Sequence, residues 1–469
     1  MNRAIMNLDK TSLDRIHAYS LELLHDTGIR FPSEKGLALF KKHGFKVNGS
    51  MVHFKEKDIQ RALQTVPAAF TIQARNPSRN LRIGGNHFVM APGYGPPFII
   101  EPSGQKRNAT LADVETFCKL VQTSKYLDFN SAIVVQPHDV PAETAHLDML
   151  LPTLTLTDKP IMGSSASEAA AQDSLQLAQM IWGRLDKPVM LSLINSLPLQ
   201  YTPDSIDALM IYAAARQPLI IHSACMLGST GPITMAGSLV ISNATTLAGI
   251  CLAQLIKPGT SLVYGLAGSP IDMRTGGYVS VTPEDVKHVA IVGAMGRYYN
   301  MPCRSQGALT DSFCLDYQAG MESTVMMAVA ALSGVHVSLH VCGTFGSLLA
   351  MSFEKFIADE DLCGTVKKLM QPIEMTDEAF ALDLIKEVGA SGNYLTEAHT
   401  VKRCRDEFFI PDLISRTTHD KWLEMQSQDI SARAKNLLEK RLAEYEKPEM
   451  DPKLEKRMIQ YVMDRKHNP

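Results

Sequence analysis

The chain has no surplus of either charge: 46 Lys+Arg stand against 49 Asp+Glu over 469 residues, a formal net charge of −3. A broad basic face is therefore absent from the expectation, and nucleic acid is not an expected partner. No CxxC pair occurs among the eight cysteines (118, 225, 251, 303, 314, 342, 363 and 404). Scattered within apolar patterns, they read as reduced, small buried residues of a cytoplasmic protein. No uninterrupted apolar run reaches the length of a membrane span, and even LIIHSACMLG is broken by polar residues, so no membrane association is expected. The start, MNRAIMNLDKTSLDRIHAYS, lacks the apolar core of a secretory leader. GxSxG, Walker, HExxH and GxGxxG patterns are missing from any supporting context, which argues against serine-hydrolase, nucleotide and metalloprotease chemistry. LGSTGP at 227–232 has the glycines of a phosphate loop but not its lysine, and reads as a tight turn.

What is present is alternation. Short apolar runs at 88–91 (with a continuation at 98–100), 129–135, 160–164, 189–194, 219–224, 261–266, 303–307 and 336–341 read as strands. Helical patterns fall between and after them, near 110–124, 142–156, 168–182, 203–215, 234–256, 282–299, 318–332 and 351–371. Thr110, Ser167 and the Thr282-Pro283 pair are suitable helix starts. Eight βα units in succession predict an α/β protein of the (β/α)8 TIM-barrel type; a doubly wound sheet is the competing architecture. Most of the 24 methionines lie at core-like helical spacing.

The flanks read as additions, giving an N-terminal helical extension with short strands (1–87), the barrel (88–371) and a C-terminal helical extension (372–469). In the first, helices are expected at 10–26, 33–43 and 55–66, with strands at 70–74 and 80–83. In the last, DISARAKNLLEKRLAEYEK and PKLEKRMIQYVMDRK are charged helices that suit a solvated face or a subunit partner, so a homo-oligomer is one expectation.

Barrel active sites form at the C-terminal ends of strands. HVSLHVCG at 336–343 alternates, and is expected to turn His336, Ser338, His340 and Cys342 inward and Val337, Leu339 and Val341 towards the helices. The crossing RSQGALTDSFCLDYQAGMES at 304–323 holds Arg304, Gln306, Asp311, Asp316, Gln318 and Glu322. Asp316 suits a helix cap, while Asp311 and Glu322 are candidates for chemistry. Other strand ends supply His138, Asn195, His222 and Tyr264, and rim aromatics include Tyr94, Phe313 and Phe345. Aromatic rings beside a carboxylate make a receptor for a permanent cation. His340-x-Cys342 with Cys363 offers soft ligands, but zinc would need a third donor at tetrahedral geometry, and no metal is expected.

Four segments in order, ATLADVETFCKL (109–120), GSTGPITMAGSLVISNATTLAGICLAQLIKPGTSLVYG (228–265), TDSFCLDYQAGMES (310–323) and EAHTVKRCRDEFFIPDLISRTTHDKW (397–422), carry a family likeness. The chain resembles the trimethylamine methyltransferase family, in its branch that lacks pyrrolysine and acts on quaternary amines. The resemblance implies a barrel that passes a methyl group from a methylamine to the Co(I) of a separate corrinoid protein, with no cofactor bound permanently to this chain. It implies a quaternary substrate: glycine betaine first, proline betaine or carnitine next. Tyr94, Tyr264, Phe313 and Phe345 would then cage the ammonium, Asp311 and Glu322 would offset its charge, and Arg304, His222 or His340 would meet a carboxylate, with Gln306 beside them. Asp311, Glu322 and His340 are the residues to which the resemblance would assign catalysis. A zinc-dependent thiol methyltransferase and a non-catalytic amine-binding protein are the alternatives.

Overall fold

The computed structural model describes residues 8–467; residues 1–7 of the expected N-terminal extension and 468–469 of the C-terminal one lie outside the described residues. Seven parallel strands form the central sheet: β1 (Val89–Met90), β2 (Ile161–Gly163), β3 (Met190–Ser196), β4 (Leu219–Leu227), β5 (Leu262–Pro270), β6 (Cys303–Gln306) and β7 (Val337–Leu339). Their spatial order is β1-β7-β6-β5-β4-β3-β2. The first strand therefore lies beside the last, as happens when a sheet curls on itself.

The expected strand at 129–135 does not form. Its residues are buried, but only Asn130 makes a bridge, to Ile161. Asp128 N–H donates to Met90 O at 2.9 Å, and Met162 N–H donates to Asn130 O at 3.0 Å. Beyond Asn130 the chain turns to serve the loop after β1: Gly95 N–H donates to Ile133 O at 2.7 Å and Ser131 Oγ to Gly93 O at 2.8 Å. A buried apolar run does not by itself reveal whether its backbone bonds go to a ladder or to a loop. The continuation at 98–100 belongs to a separate four-stranded sheet with Lys106–Asn108, Ala350–Met351 and Thr344–Phe345.

Eight helices separate and follow the strands: α1 (Leu111–Thr123), α2 (Ala145–Thr155), α3 (Glu168–Trp182), α4 (Pro203–Ala214), α5 (Met235–Ile256), α6 (Pro283–Tyr298), α7 (Tyr317–Leu332) and α8 (Phe353–Leu369). The expected caps are in place. Thr110 and Thr282 form capping boxes with Asp113 and Asp285, and Ser167 accepts from Ala170 N–H.

By length and composition α5 could cross a membrane, although Ser, Asn and Thr punctuate its apolar run; 78% of its most apolar window is buried inside the protein. The N-terminal extension supplies the cover, with helices Lys10–Asp26 and Glu56–Thr65 packing on α5. Asn243, buried in α5, donates to Ser20 Oγ and Tyr299 Oη, both at 2.9 Å, and accepts from Tyr264 Oη at 2.7 Å.

The charged C-terminal helices pack on the helices that flank the chain's own sheet rather than standing free. Helix Ile430–Ala443 buries Ala434 and Leu438 against α8 and α1; helix Pro452–His467 buries Met458 and Val462 against α2 and α3. The second contact centres on Asp173 of α3, which accepts from His146 Nε2 at 2.8 Å, Tyr461 Oη at 2.5 Å and Arg465 Nε at 2.9 Å. Burial opposes ionisation of Asp173, but these donors outweigh it and hold its carboxyl down at about 2. Asp173→Ala removes the acceptor of the buried His146 Nε2 and of the Tyr461 hydroxyl and should lower stability by about 2–4 kcal/mol. The deficit against wild type, read by denaturant melts, should shrink as pH falls from 4 towards 2, where the wild-type carboxylate protonates. A pH-independent deficit would contradict this role.

Candidate active site

Parallel register places matched residues on the same face of a sheet. Asn195, His222, Gly265 and Arg304 are consecutive partners across β3, β4, β5 and β6. A side chain at Gly265 would meet His222, on the face of β5 opposite Tyr264, whose hydroxyl reaches Asn243 of α5, so this row faces the inside of the curl. Beneath it, Leu193, Ile220 and Val263 form a matched apolar row, all buried. Above it Ala224 pairs with Ala267, too small to fill the space towards the strands' C-terminal ends.

The same register reverses one expectation. Arg304 pairs with Val337 and Gln306 with Leu339, so Val337 and Leu339 share the inner face and Ser338 faces the helices. His336 lies on that outer side, its Nδ1 accepting from Cys303 N–H at 3.1 Å. Parity identifies two faces but not which one is covered by helices.

Arg304 is the centre of the row. It is 3% exposed, and among the described residues its Nε and Nη1 have no hydrogen-bond partner. Burial lowers its pKa to about 10, with Tyr278 and Tyr94 acting the other way, so it remains a cation at neutral pH. Buried charges are ordinarily paired; among the described residues no carboxylate pairs with this one. His222 Nδ1 lies 2.9 Å from Asn195 Oδ1; with Nδ1 donating, its buried Nε2 is a bare acceptor without a partner. Burial and the Arg304 charge push His222 well below its ordinary value. Gln306 Oε1 is buried and unpartnered as well.

His340 follows β7 with φ +60°, a left-handed conformation that costs a non-glycine residue roughly 1–2 kcal/mol. Its Nδ1 accepts from Tyr94 N–H at 3.2 Å, which leaves the proton on Nε2. Burial, then Arg304, lowers its pKa to about 3, so both histidines are neutral. Tyr94 is pushed up to about 12 by burial, against a hydrogen bond with Ser165 and the charge of Arg304. His222, His340, Tyr94 and Tyr278 thus surround one unpaired guanidinium.

Asp311 and Glu322 come together, but as a latch. Glu322 Oε2 accepts from Thr310 Oγ1 at 2.6 Å and Asp311 N–H at 2.9 Å, and its Oε1 from Gln318 Nε2 at 3.0 Å. Asp311 Oδ1 accepts from Ser280 N–H and Oγ, both at 2.8 Å, and from Ser347 Oγ. Three loops, after β5, β6 and β7, therefore meet on one carboxylate. His340 belongs to the Arg304 cluster and shares no hydrogen bond with this latch. Asp316 caps α7, accepting from Ala319 N–H at 2.8 Å.

The aromatic candidates disperse. Tyr264 points outward to Asn243, because even-numbered residues of β5 face the helices. Phe345 is buried with Ile100, Ala319 and Ala350, and Phe313 lies half in solvent over Gly346. His138 is exposed and stacks on Phe98 at 6.0 Å. Only Tyr94 stands near the cluster. The residue missed was Tyr278, whose Oη donates to Ser269 Oγ at 3.2 Å; its place in the loop after β5 was the available signal. His340, Cys342 and Cys363 do not converge as ligands: Cys342 Sγ meets Cys363 Sγ at 3.7 Å, while His340 turns to Tyr94. Among the described residues no three His, Cys, Asp or Glu side chains gather as a metal site.

A curled parallel sheet with an inward polar row at its C-terminal ends is the arrangement of an α/β enzyme that takes a small ligand. The chain belongs to the trimethylamine methyltransferase family, whose model matches residues 2–469. It is 38% identical to a glycine betaine methyltransferase of Desulfitobacterium hafniense, over 98% of this chain and 96% of that one. It is 32% identical to a proline betaine:corrinoid methyltransferase of Eubacterium limosum (93% of each). An L-carnitine:corrinoid methyltransferase of the same organism is 30% identical (94% and 93%). The fold is also that of a monomethylamine methyltransferase of Methanosarcina barkeri, with TM-score 0.53 at 13% identity, covering 93% of this chain and 88% of that one.

Two outcomes follow from the latch. Asp311→Ala should cost about 2 kcal/mol and speed amide exchange at 278–281 and 346–348; unchanged exchange in both loops would contradict the latch. Asp285, buried at the start of α6, is raised to about 7 by burial and by Asp311. Its contribution to stability is therefore full below about pH 4 and lost as pH rises through 7. The melting temperature of wild type relative to Asp285→Asn should fall between about pH 4 and 7 and then level off, and parallel curves would refute the assignment.

Proposed function

We propose that this chain removes a methyl group from a betaine, a quaternary ammonium that carries a carboxylate, and delivers it to a corrinoid borne by a separate protein in the cytoplasm. Glycine betaine is the favoured substrate. The observation that carries this reading is the buried, unpaired Arg304. An apolar plug lies below it and neutral histidines beside it, so the missing charge is anionic and small, and it enters from the C-terminal end of the strands. The relatives support the class, since their names specify glycine betaine, proline betaine and L-carnitine, all carboxylated quaternary amines.

In this reading the sheet is a (β/α)8 barrel whose second position is filled by 128–131. The carboxylate lies on Arg304, with His340 Nε2–H as a second donor. The ammonium then points to the mouth, beside Tyr94 and Tyr278 and towards the negative latch of Asp311 and Glu322. The Co(I) corrinoid supplies the nucleophile when its carrier docks. This chain needs no general base, because a quaternary nitrogen departs as a neutral tertiary amine. Its residues contribute orientation and exclusion of water. A strong grip on the cation would work against transfer, since positive charge on nitrogen is lost in the transition state; a distant carboxylate handle on Arg304 avoids that.

The rim suits an apolar docking partner. Leu197, Ile233, Met273, Phe313 and Leu349 are exposed on the loops after β3 to β7. Loops 197–202, 226–236 and 343–351 carry no charged residue. Elsewhere on the rim Asp272 pairs with Arg274 at 2.7 Å.

Arg304→Met should raise KM for glycine betaine by about 10- to 100-fold, the worth of roughly 1.5–3 kcal/mol from charge-assisted hydrogen bonds. Any turnover of tetramethylammonium, which lacks the carboxylate, should be unaffected. Methylation of Co(I) cobalamin, followed by its absorbance, reads both. Absence of methyl transfer from every carboxylated quaternary amine would falsify the proposal.

A further inference from the structure

Between the end of α8 and helix Ile430–Ala443 the chain makes an excursion that has almost no core of its own. It contains four short helices, Asp377–Phe380, Leu382–Val388, Ala398–Glu407 and His419–Glu424, none of which contributes a buried residue. Sixteen of the 27 exposed large hydrophobics among the described residues lie between Leu369 and Met425. Ile373 is 83% exposed, Leu395 73%, Phe408 69% and Val401 66%. Several of the excursion's charges, by contrast, pair within it: Lys402 with Glu378 at 2.7 Å, and Arg403 with Glu374 and Glu407.

The root of this arm is held firmly. Asp361 of α8 accepts from the backbone N–H groups of Asp412, Leu413 and Ile414 at 2.6–2.9 Å, and a side chain on Gly364 would strike Phe409. The arm is therefore positioned, yet left uncovered. Ordering some fifty residues costs about 1–2 kcal/mol of backbone entropy each, and burial must offset it. Sixteen large apolar side chains expose on the order of 1,000 Å² or more, beyond the few hundred Å² that monomers tolerate and comparable to the ~800 Å² each partner gives to a stable interface.

We propose that the arm, 370–425, is the face on which a second copy of this chain docks. Its position selects that occupant over the methyl acceptor. Lys367 near the end of α8 donates to Tyr126 O, just before the chain enters the sheet at 128–130, so the arm leaves from the N-terminal ends of the strands. The polar row opens at the opposite end. A self-complementary dimer through the arm would leave both mouths free, as a delivery enzyme requires; this choice of occupant rests on the proposed direction of methyl delivery.

Full-length protein, alone and at micromolar concentration, should sediment as a dimer or a multiple of one, with slow amide exchange at 382–410 that speeds on dilution. Leu395→Asp combined with Val401→Asp should sediment as a monomer. A monomeric wild type overturns the proposal, as does a dimer indifferent to both charges. Protection of 382–410 only when a corrinoid-bearing partner is added would also overturn it. None of these readouts involves turnover, so failure here leaves the substrate assignment standing, and failure of that assignment leaves these results intact.

Discussion

A guanidinium without a counter-ion, held inside a curled sheet, is the constraint around which the rest of the molecule is arranged. Arg304 is expensive to keep where it is, because burial disfavours its charge and no carboxylate compensates. Its neighbours make sense as consequences. His222 and His340 are kept neutral by the same field, so no second cation competes for an anion. Tyr94 and Tyr278 offer polar oxygens without adding negative charge. The apolar row of Leu193, Ile220 and Val263 shuts out water from below.

The loops above the row are tied rather than left to wander. Asp311 collects donors from the loops after β5 and β7, and Glu322 fixes the loop that carries Asp311. Carboxylates occupied in this way hold the mouth in shape; in the proposed function their field also faces the ammonium. The N-terminal extension has a comparable duty at a distance. It covers α5, and through Asn243 it locks Tyr264 on the outer side of β5.

Much of this was legible in the sequence. The eight helices around the sheet, the caps at Thr110, Ser167 and Thr282 and seven of the eight strand positions follow from periodicity and turn chemistry; Asn195, His222 and His340 stand at predicted strand ends, and Arg304 within the predicted strand 303–307. What failed did so for identifiable reasons. The run at 129–135 is as apolar as a strand, but its backbone bonds go to the loop after β1. In 336–339 the residues alternate with the inner face opposite to expectation, because one strand carries no information about which side the helices cover; the left-handed backbone at His340 then breaks the alternation and brings that side chain into the cluster, as expected. Tyr264 and Phe345 looked like rim aromatics, although only register and neighbouring elements decide whether a strand-end ring turns in or out. The unpaired state of Arg304 was invisible too, since pairing is a property of three dimensions.

The most direct test of the account is a crystal structure of the full chain with glycine betaine bound. The account places the carboxylate on Arg304, with His340 Nε2 as second donor and the trimethylammonium group directed to the mouth between Tyr94 and the Asp311 loop. A betaine seated with its ammonium inward, or bound away from Arg304 altogether, would contradict it.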